Sequence, residues 1–286
     1  MKFVEILIKI LEVARSFPLK LKLSLSILVF LSLLFIMADY ISPYDPLRPS
    51  YKQLSPPSIE HLFGTDNIGR DVLSRTIYGG RTALIIIALS LILSNPIGLL
   101  LGLFSFIHSI VDRFLRIIMD TLYSFPAFLM SITLLFVLGP GIVNLSIAIA
   151  IPWIPIFYRT IRSSVLAILN KPFIEVAQSL GASYTWIVMK HILPHILPIY
   201  IGLISIQPAR ILLVAASINF LGFGVPPPTP DWGADIYNGT LLMAKMAWWV
   251  MLFPGLALLI TSITLYVIGQ SISDMLFNKG MRYQLG

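Results

Sequence analysis

Long apolar runs separated by polar stretches dominate the chain. Such runs cover residues 23–38, 82–108, 192–221 and 248–272. A helix needs ~20 apolar residues to cross the hydrocarbon core of a bilayer, and these runs approach or exceed that length. The pattern therefore predicts an integral membrane protein built from helices.

A further stretch of 38 residues, between Asp120 and Arg159, contains no charged side chain. As a single helix it would be ~57 Å long, against a hydrocarbon core of ~30 Å, so it must contain two spans. Gly139, Pro140 and Gly141 are strong turn residues and predict the break between these spans. The prediction is an all-α integral membrane protein with six transmembrane helices.

The polar segments suggest how the chain is organised. Residues 1–22 alternate apolar and charged side chains at helical spacing, which predicts a cytoplasmic amphipathic segment before a first transmembrane helix at 23–39. Residues 40–81 are rich in Pro and charge and predict an external loop. Residues 82–276 form the predicted five-helix core, with a short return loop at the charged residues 112–120.

Composition supports the membrane assignment and narrows the chemistry. The chain is 57% hydrophobic and 12% charged, with a mean hydropathy of +0.88, which excludes an ordinary soluble domain. The absence of Cys excludes a disulfide, a thiolate nucleophile and a Cys-based zinc site. The net charge of +7 reflects membrane orientation rather than nucleic acid binding. Lys and Arg are in excess in the loops that lie on the same side of the membrane as the N-terminus, and such an excess marks the cytoplasmic side. Both termini are therefore expected in the cytoplasm.

Residues 170–190 lie between two predicted spans yet are too polar to cross a membrane. Pro172 is tolerated in a first helical turn, Gly181 predicts a helix end, and Ser183 can cap a second helix. One face of the first helix is expected to carry Phe173, Ala177 and Leu180. Such an apolar face either lies on lipid as a simple connector or docks into another protein.

This segment resembles the signature of the membrane subunits of binding-protein-dependent ABC importers, and the matching residues are Glu175, Ala177, Gly181, Leu193 and Pro194. It departs from the signature at Val176 and His191. The resemblance implies a type I ABC importer permease fold in which a coupling helix docks into an ATPase. The residues it assigns to this contact are Phe173, Glu175, Val176, Ala177, Leu180, Gly181 and Ala182, with Leu193 and Pro194 at the exit of the coupling loop.

Other motifs are similar to the C-type subunit of dipeptide and oligopeptide permeases. They lie at residues 41–46, 61–81, 125–126 and 220–233. The resemblance implies a non-enzymatic, multi-pass subunit of the cell membrane that imports peptides. Its implied partners are a second homologous permease, two cytosolic ATPases that bind ATP and Mg²⁺, and an external substrate-binding protein. No cofactor or metal is expected in this chain. Related permeases carry oligosaccharides or nickel complexes, which stay alternatives for the cargo.

Two further sets of residues are candidates for contacts. The translocation path is expected to include Phe125, Pro126, Gln207, Arg210 and Asn219. The external contact with a binding protein is expected to include Asp66, Arg70, Asp71, Arg75, Pro228 and Trp232, and the four charged residues among these are expected to pair with one another.

Arg210 is the unusual residue in this set, because a charge inside a span costs at least ~2.5 kcal/mol. It either lines the path and meets a carboxylate, or it snorkels to the external interface. A stand-alone secondary transporter, the rival class, would need further ionisable residues within the spans, and little beyond Arg210 is present.

Overall fold

The structure, a computed structural model, describes residues 17–49 and 52–284, with side chains up to residue 276. Most of the predicted amphipathic segment 1–22 lies outside these residues. Within the described part of the chain the regular elements are helices, apart from an isolated β-bridge between Thr65 and Asp71. The helices of eight residues or more are α1 (Leu19–Ile36), α2 (Val72–Phe104), α3 (Ser109–Ser124), α4 (Ala127–Leu138), α5 (Ile142–Leu169), α6 (Pro172–Ser179), α7 (Tyr184–Phe220), α8 (Trp232–Leu242) and α9 (Trp249–Gln284).

Five of these helices, α1, α2, α5, α7 and α9, are long and apolar enough to cross a membrane. The pair α3 and α4 passes the same test together but is bent by 95°. Counting that pair as one span gives six. The prediction of an all-helical membrane protein with six spans is therefore confirmed for the described residues.

The second span begins at Val72, ten residues before the predicted boundary at Thr82. The Asp71 side chain caps it by accepting a hydrogen bond from the backbone N–H of Ser74 at 2.8 Å. The charges that suggested a loop are neutralised, because Arg75 pairs with Asp235. Polar composition was therefore a poor guide to where the external loop ends.

The predicted return loop at residues 112–120 is wrong, because these residues belong to helix α3. Asp112 accepts two hydrogen bonds from Arg162 of α5, at 2.7 and 2.8 Å, and Asp120 lies 3.6 Å from Arg159. These pairs fix α3 across α5. After the bend at Pro126, α4 continues for only 12 residues, ~18 Å of helix.

The predicted break at residues 139–141 is confirmed. Gly139 and Gly141 adopt φ values of 81° and 142°, which favour glycine, and α5 starts directly after them. The N–H of Gly141 donates to the carbonyl of Gly224, so this turn lies beside the loop that follows α7.

The bundle has two distinct ends. The long-loop end consists of residues 42–49, 52–71, 139–141 and 221–248, and the short-helix end consists of residues 105–108 and 170–183. Between them, α2 packs closely on α5 and α7 packs on α9. At the short-helix end a separate apolar cluster joins α2, α5, α6 and α7 through Leu103, Ile161, Val165, Ile174, Ile187, Val188, Ile192 and Ile196.

Candidate functional site

Helix α6 and the turn after it form as their sequence suggests. Lys171 is extended and Pro172 opens the helix, where its missing N–H costs nothing. Gly181 has φ +83° and ends the segment, and no neighbouring atom lies within 4 Å of where a Cβ would be. Its role is thus conformational rather than steric. Ser183 then caps α7 by accepting from the N–H of Trp186 at 3.3 Å.

One residue anchors α6 to the bundle. Ile174 is fully buried in the apolar cluster of the short-helix end, and Ala177 packs partly against the same cluster. The hydroxyl of Tyr184 donates to the carbonyl of Leu103 at 2.7 Å and ties the start of α7 to α2. The sequence analysis missed Ile174, although its i, i+3 spacing from Ala177 is a usable signal.

The other face of α6 is apolar and exposed. Phe173, Val176 and Leu180 are 41%, 60% and 83% exposed, and Glu175 is exposed beside them. The expected face of Phe173, Ala177 and Leu180 is therefore split, because Ala177 turns partly inward. A cavity of about 640 Å³ is lined by Phe173, Val176, Ala177, Leu180, Gly181, Ala182, Ser183, Trp186 and His191.

The exit of this segment is a π-helical turn, Val188–Ile192, which runs directly into regular helix. Leu193 packs against the apolar cluster, and Pro194 is exposed in the first regular turn. His191 and His195 both contact Phe173, with ring centroids 5.8 and 5.9 Å apart. The structure therefore brings six of the predicted coupling residues to one apolar concavity, namely Phe173, Val176, Ala177, Leu180, Gly181 and Ala182, whereas Glu175, Leu193 and Pro194 lie outside its lining.

At the long-loop end the expected contact residues are buried. Asp66, Arg70, Asp71, Arg75 and Trp232 are all at most 7% exposed, whereas Pro228 is exposed. The predicted pairing is right for Asp66 and Arg70, at 2.6 Å.

For the other two charged residues of this set the predicted pairing is wrong. Asp71 meets His61 at 2.9 Å, and Arg75 meets Asp235 at 2.6 Å. Asp71 pairs within its own loop, ten residues away, whereas Arg75 has a distant partner because α8 packs beside the start of α2. Arg75 also donates to the carbonyls of Pro46 and Pro228, each at 3.2 Å, so it joins three segments.

Trp232 and Asn219 have structural roles at the same end. The indole N–H of Trp232 donates to the carbonyl of Thr76 at 2.8 Å. Asn219 donates to the carboxylate of Asp231 and accepts from the N–H of Val225, both at 2.8 Å. Burial raises the pKa of Asp231 to about 7.

The candidate path residues fall into two groups. Gln207 and Asn219 lie inside the bundle, at 3% and 2% exposure. Phe125 and Pro126 are exposed at the bend between α3 and α4, and Arg210 is exposed on α7. Their assignment to the pathway stays a prediction.

A multi-helix membrane core that presents an anchored helix with an apolar outer face is a membrane protein with a candidate interaction surface at one end. Residues 94–281 match the model of the family described as the binding-protein-dependent transport system inner membrane component. The chain belongs to this family.

Curated relatives cover nearly the whole chain. It is 36% identical over 254 residues to the glutathione transport system permease protein of Escherichia coli O6:K15:H31, covering 88% of this chain and 84% of that protein. It is 33% identical over 253 residues to the di/tripeptide transport system permease protein of Pseudomonas aeruginosa, covering 85% and 83%. The expected importer permease and its fold are therefore confirmed at the level of the family.

Proposed function

We propose that this chain is one of two homologous permease subunits of an ATP-driven importer that carries small peptides across the cell membrane. The named relatives are permeases for glutathione and for di- and tripeptides, which supports peptide as the cargo class. The long-loop end faces outward and the short-helix end faces the cytoplasm. The sequence supports this orientation, because Lys and Arg exceed Asp and Glu in the segments assigned to the short-helix side, residues 1–22, 107–116, 158–191 and 275–286.

The observation that carries the proposal is the two-sided character of α6. Ile174 holds one face in the bundle, while Val176 and Leu180 project from the other with more than half of their surface exposed. An apolar patch of this kind at a membrane protein's aqueous end is typical of an interaction site. The occupant we propose is a cytosolic ATPase, which holds the ATP and Mg²⁺. Rigid-body movement of α6 then transmits ATP-driven closure to the spans.

A substrate-binding protein docks at the long-loop end in this proposal. The buried charges there do not contact it directly. Arg75 instead fixes the loops that contain Pro46 and Pro228, and exposed positions such as Pro228 offer the contact surface.

Docking of the ATPase is tested by adding one negative charge at two positions of the same segment. Leu180→Asp removes an apolar side chain from the cavity, and burial of a leucine contributes ~1.5–3 kcal/mol, so we expect ATPase binding to weaken by ~10-fold or more. Gln178→Asp adds the same charge at an exposed position outside the cavity lining and serves as the control. The measurement is copurification of the ATPase from native membranes under gentle extraction. Equal retention by both variants, or no ATPase with the wild type, contradicts the docking proposal.

Orientation is tested with single cysteines, because the chain has none. Ile59→Cys lies at the long-loop end, where Ile59 is 98% exposed, and Gln178→Cys lies at the short-helix end, at an exposed position outside the cavity lining. An impermeant maleimide added to intact cells should label the first and reach the second only after the cells are opened. The reverse pattern contradicts the proposed orientation.

A further inference from the structure

Most of the exposed surface of the spans is suited to lipid. Exposed side chains are apolar or aromatic on α1 from Ile27 onward, on α2 between residues 85 and 100, and on α9 between residues 252 and 266. Such surfaces need no partner in a bilayer, since acyl chains solvate them.

Helix α7 differs from these helices, because it exposes polar side chains within a span. Arg210 and Ser217 are exposed on the same face, with the exposed Leu213 between them. Arg210 lies ten residues before the end of α7, ~15 Å along the helix, which is too deep for an easy reach to the interface. An arginine at this depth against hydrocarbon is costly. This face of α7 therefore contacts water or protein rather than lipid.

Arg210 has an aromatic neighbour and a free polar edge. Its guanidinium carbon lies 6.0 Å from the centroid of the Trp153 ring on α5. Among the described residues, no carboxylate oxygen lies within 4 Å of it. A ring beside the guanidinium orients it and leaves N–H groups available for an anionic partner.

A cavity lies nearer the short-helix end, where α5, α7 and the start of α6 meet. Its volume is about 630 Å³, and it is lined by Ser163, Ser164, Ala167, Ile168, Lys171, Phe173, His195 and Ile199. Its lining contains a lysine and no carboxylate.

Helix geometry connects this cavity to Arg210. Ile199 and Arg210 are eleven residues apart, as are Trp153 and Ser164. Eleven residues are three turns, so each pair shares a face of its helix within ~20° and is separated by ~16 Å along the axis. We call the surface formed by these two faces, from Trp153 and Arg210 to the cavity, the α5–α7 groove.

We propose that the α5–α7 groove is this chain's wall of the translocation pathway. In the groove, Arg210 binds the free carboxylate of a peptide in transit. Lys171 faces that carboxylate nearer the cytoplasmic exit. This inference rests on the proposed function. A guanidinium matches a carboxylate with two parallel hydrogen bonds, which gives selectivity for that group. Because the site is exposed, the contact stays weak enough for the peptide to leave.

The test uses the complete importer, with both permeases, the ATPases and the binding protein, reconstituted in proteoliposomes. ATP-dependent uptake is measured for one peptide with a free C-terminal carboxylate and for the same peptide as its C-terminal amide. The ratio of the two uptake rates is compared between wild type, Arg210→Gln and Arg210→Lys. The binding protein's own preference is common to all three samples and cancels from the comparison.

We expect Arg210→Gln to lower the carboxylate-to-amide ratio by about tenfold, because one charged hydrogen-bond partner is lost. Arg210→Lys should retain part of the preference. Arg113→Gln is the control: Arg113 is exposed on α3, away from the groove, and its loss removes the same charge. This control should leave the ratio unchanged.

Three other outcomes overturn the inference. An unchanged ratio in Arg210→Gln means that Arg210 does not meet the cargo. An equal loss for both peptides, with less of the second permease copurifying, means that Arg210 pairs with a carboxylate of the partner subunit. If the wild type transports neither peptide while its ATPase still copurifies, the proposed peptide cargo itself is wrong.

Discussion

The contact between α2 and α5 depends on two glycines four residues apart, Gly98 and Gly102. A Cβ built at Gly98 would lie 2.4 Å from the Cβ of Phe157 and 3.1 Å from the carbonyl oxygen of Ile154. At Gly102 it would lie 2.7 Å from the Cβ of Ile161. Carbon atoms in contact normally stay ~3.5–4.0 Å apart, so even a methyl group forces the helices to separate by about 1 Å. Small residues spaced in this way permit close approach of transmembrane helices.

We therefore expect Gly98→Ala to destabilise the bundle. Overpacking of a close contact costs ~1–3 kcal/mol. Gly255→Ala is the matched control, because Gly255 lies inside α9 and no atom lies within 4 Å of its added Cβ. Both changes gain the same helix propensity, ~1 kcal/mol in favour of Ala, so the difference between the variants isolates the overpacking.

The free energy of unfolding is measured by titrating the chain in mild detergent with SDS, followed by the fluorescence of its five tryptophans. Gly98→Ala should be less stable than Gly255→Ala by ~1–3 kcal/mol. If the two variants have the same stability, the close approach of α2 and α5 at residue 98 is not a feature of the folded protein, and the reasoning fails.

Three further predictions concern the two ends. Ile174→Ala should cost ~2–5 kcal/mol of local packing, because the Ile174 side chain is fully buried. Amide hydrogen exchange across Pro172–Ser179 should therefore accelerate. Unchanged exchange would contradict the anchoring role of Ile174. Arg75→Met should lower the free energy of unfolding by ~3–5 kcal/mol, because the Asp235 carboxylate is left buried without its partner. Adding Asp235→Leu to this variant should recover stability. No recovery would argue against a charge effect. Burial raises the pKa of Asp231 from 3.8 to about 7, so the folded chain retains a proton that the unfolded chain has lost. Its stabilising contribution should be complete below about pH 4 and lost as the pH rises to about 7. Unfolding should depend less on pH over this range in Asp231→Asn, and an identical dependence would show that another group is responsible.

Hydropathy and turn chemistry were sufficient to predict the number of spans and the break between α4 and α5. Both signals are local: an apolar run long enough for a bilayer must form a helix to satisfy its backbone, and Gly139 and Gly141 adopt backbone angles that other residues avoid. The segment around Gly181 was predictable for the same reason.

The start of α2 and the nature of α3 were not predictable in this way. In both cases charged residues suggested a loop, but their partners lie far along the chain. Arg75 is neutralised by Asp235, 160 residues away, and Asp112 by Arg162, 50 residues away. The composition of a local segment does not reveal partners that lie so far away along the chain. The apolar periodicity of α3, with Ile110, Phe114 and Ile117 exposed on one side, was a signal that its charges obscured.

The two ends of the bundle are stabilised by different interactions, and this difference bears on how movement would be transmitted. At the long-loop end Arg75 is hydrogen-bonded to three separate segments, and such buried polar networks rigidify the parts that they join. At the short-helix end the main connection is apolar: Ile174 packs in one cluster with Ile161 of α5 and Ile192 of α7. Apolar contacts are non-directional and tolerate small sliding movements better than fixed ion pairs do. Under the proposed docking, a force on α6 therefore acts first on α5 and α7, the two walls of the α5–α7 groove, while the long-loop end stays fixed.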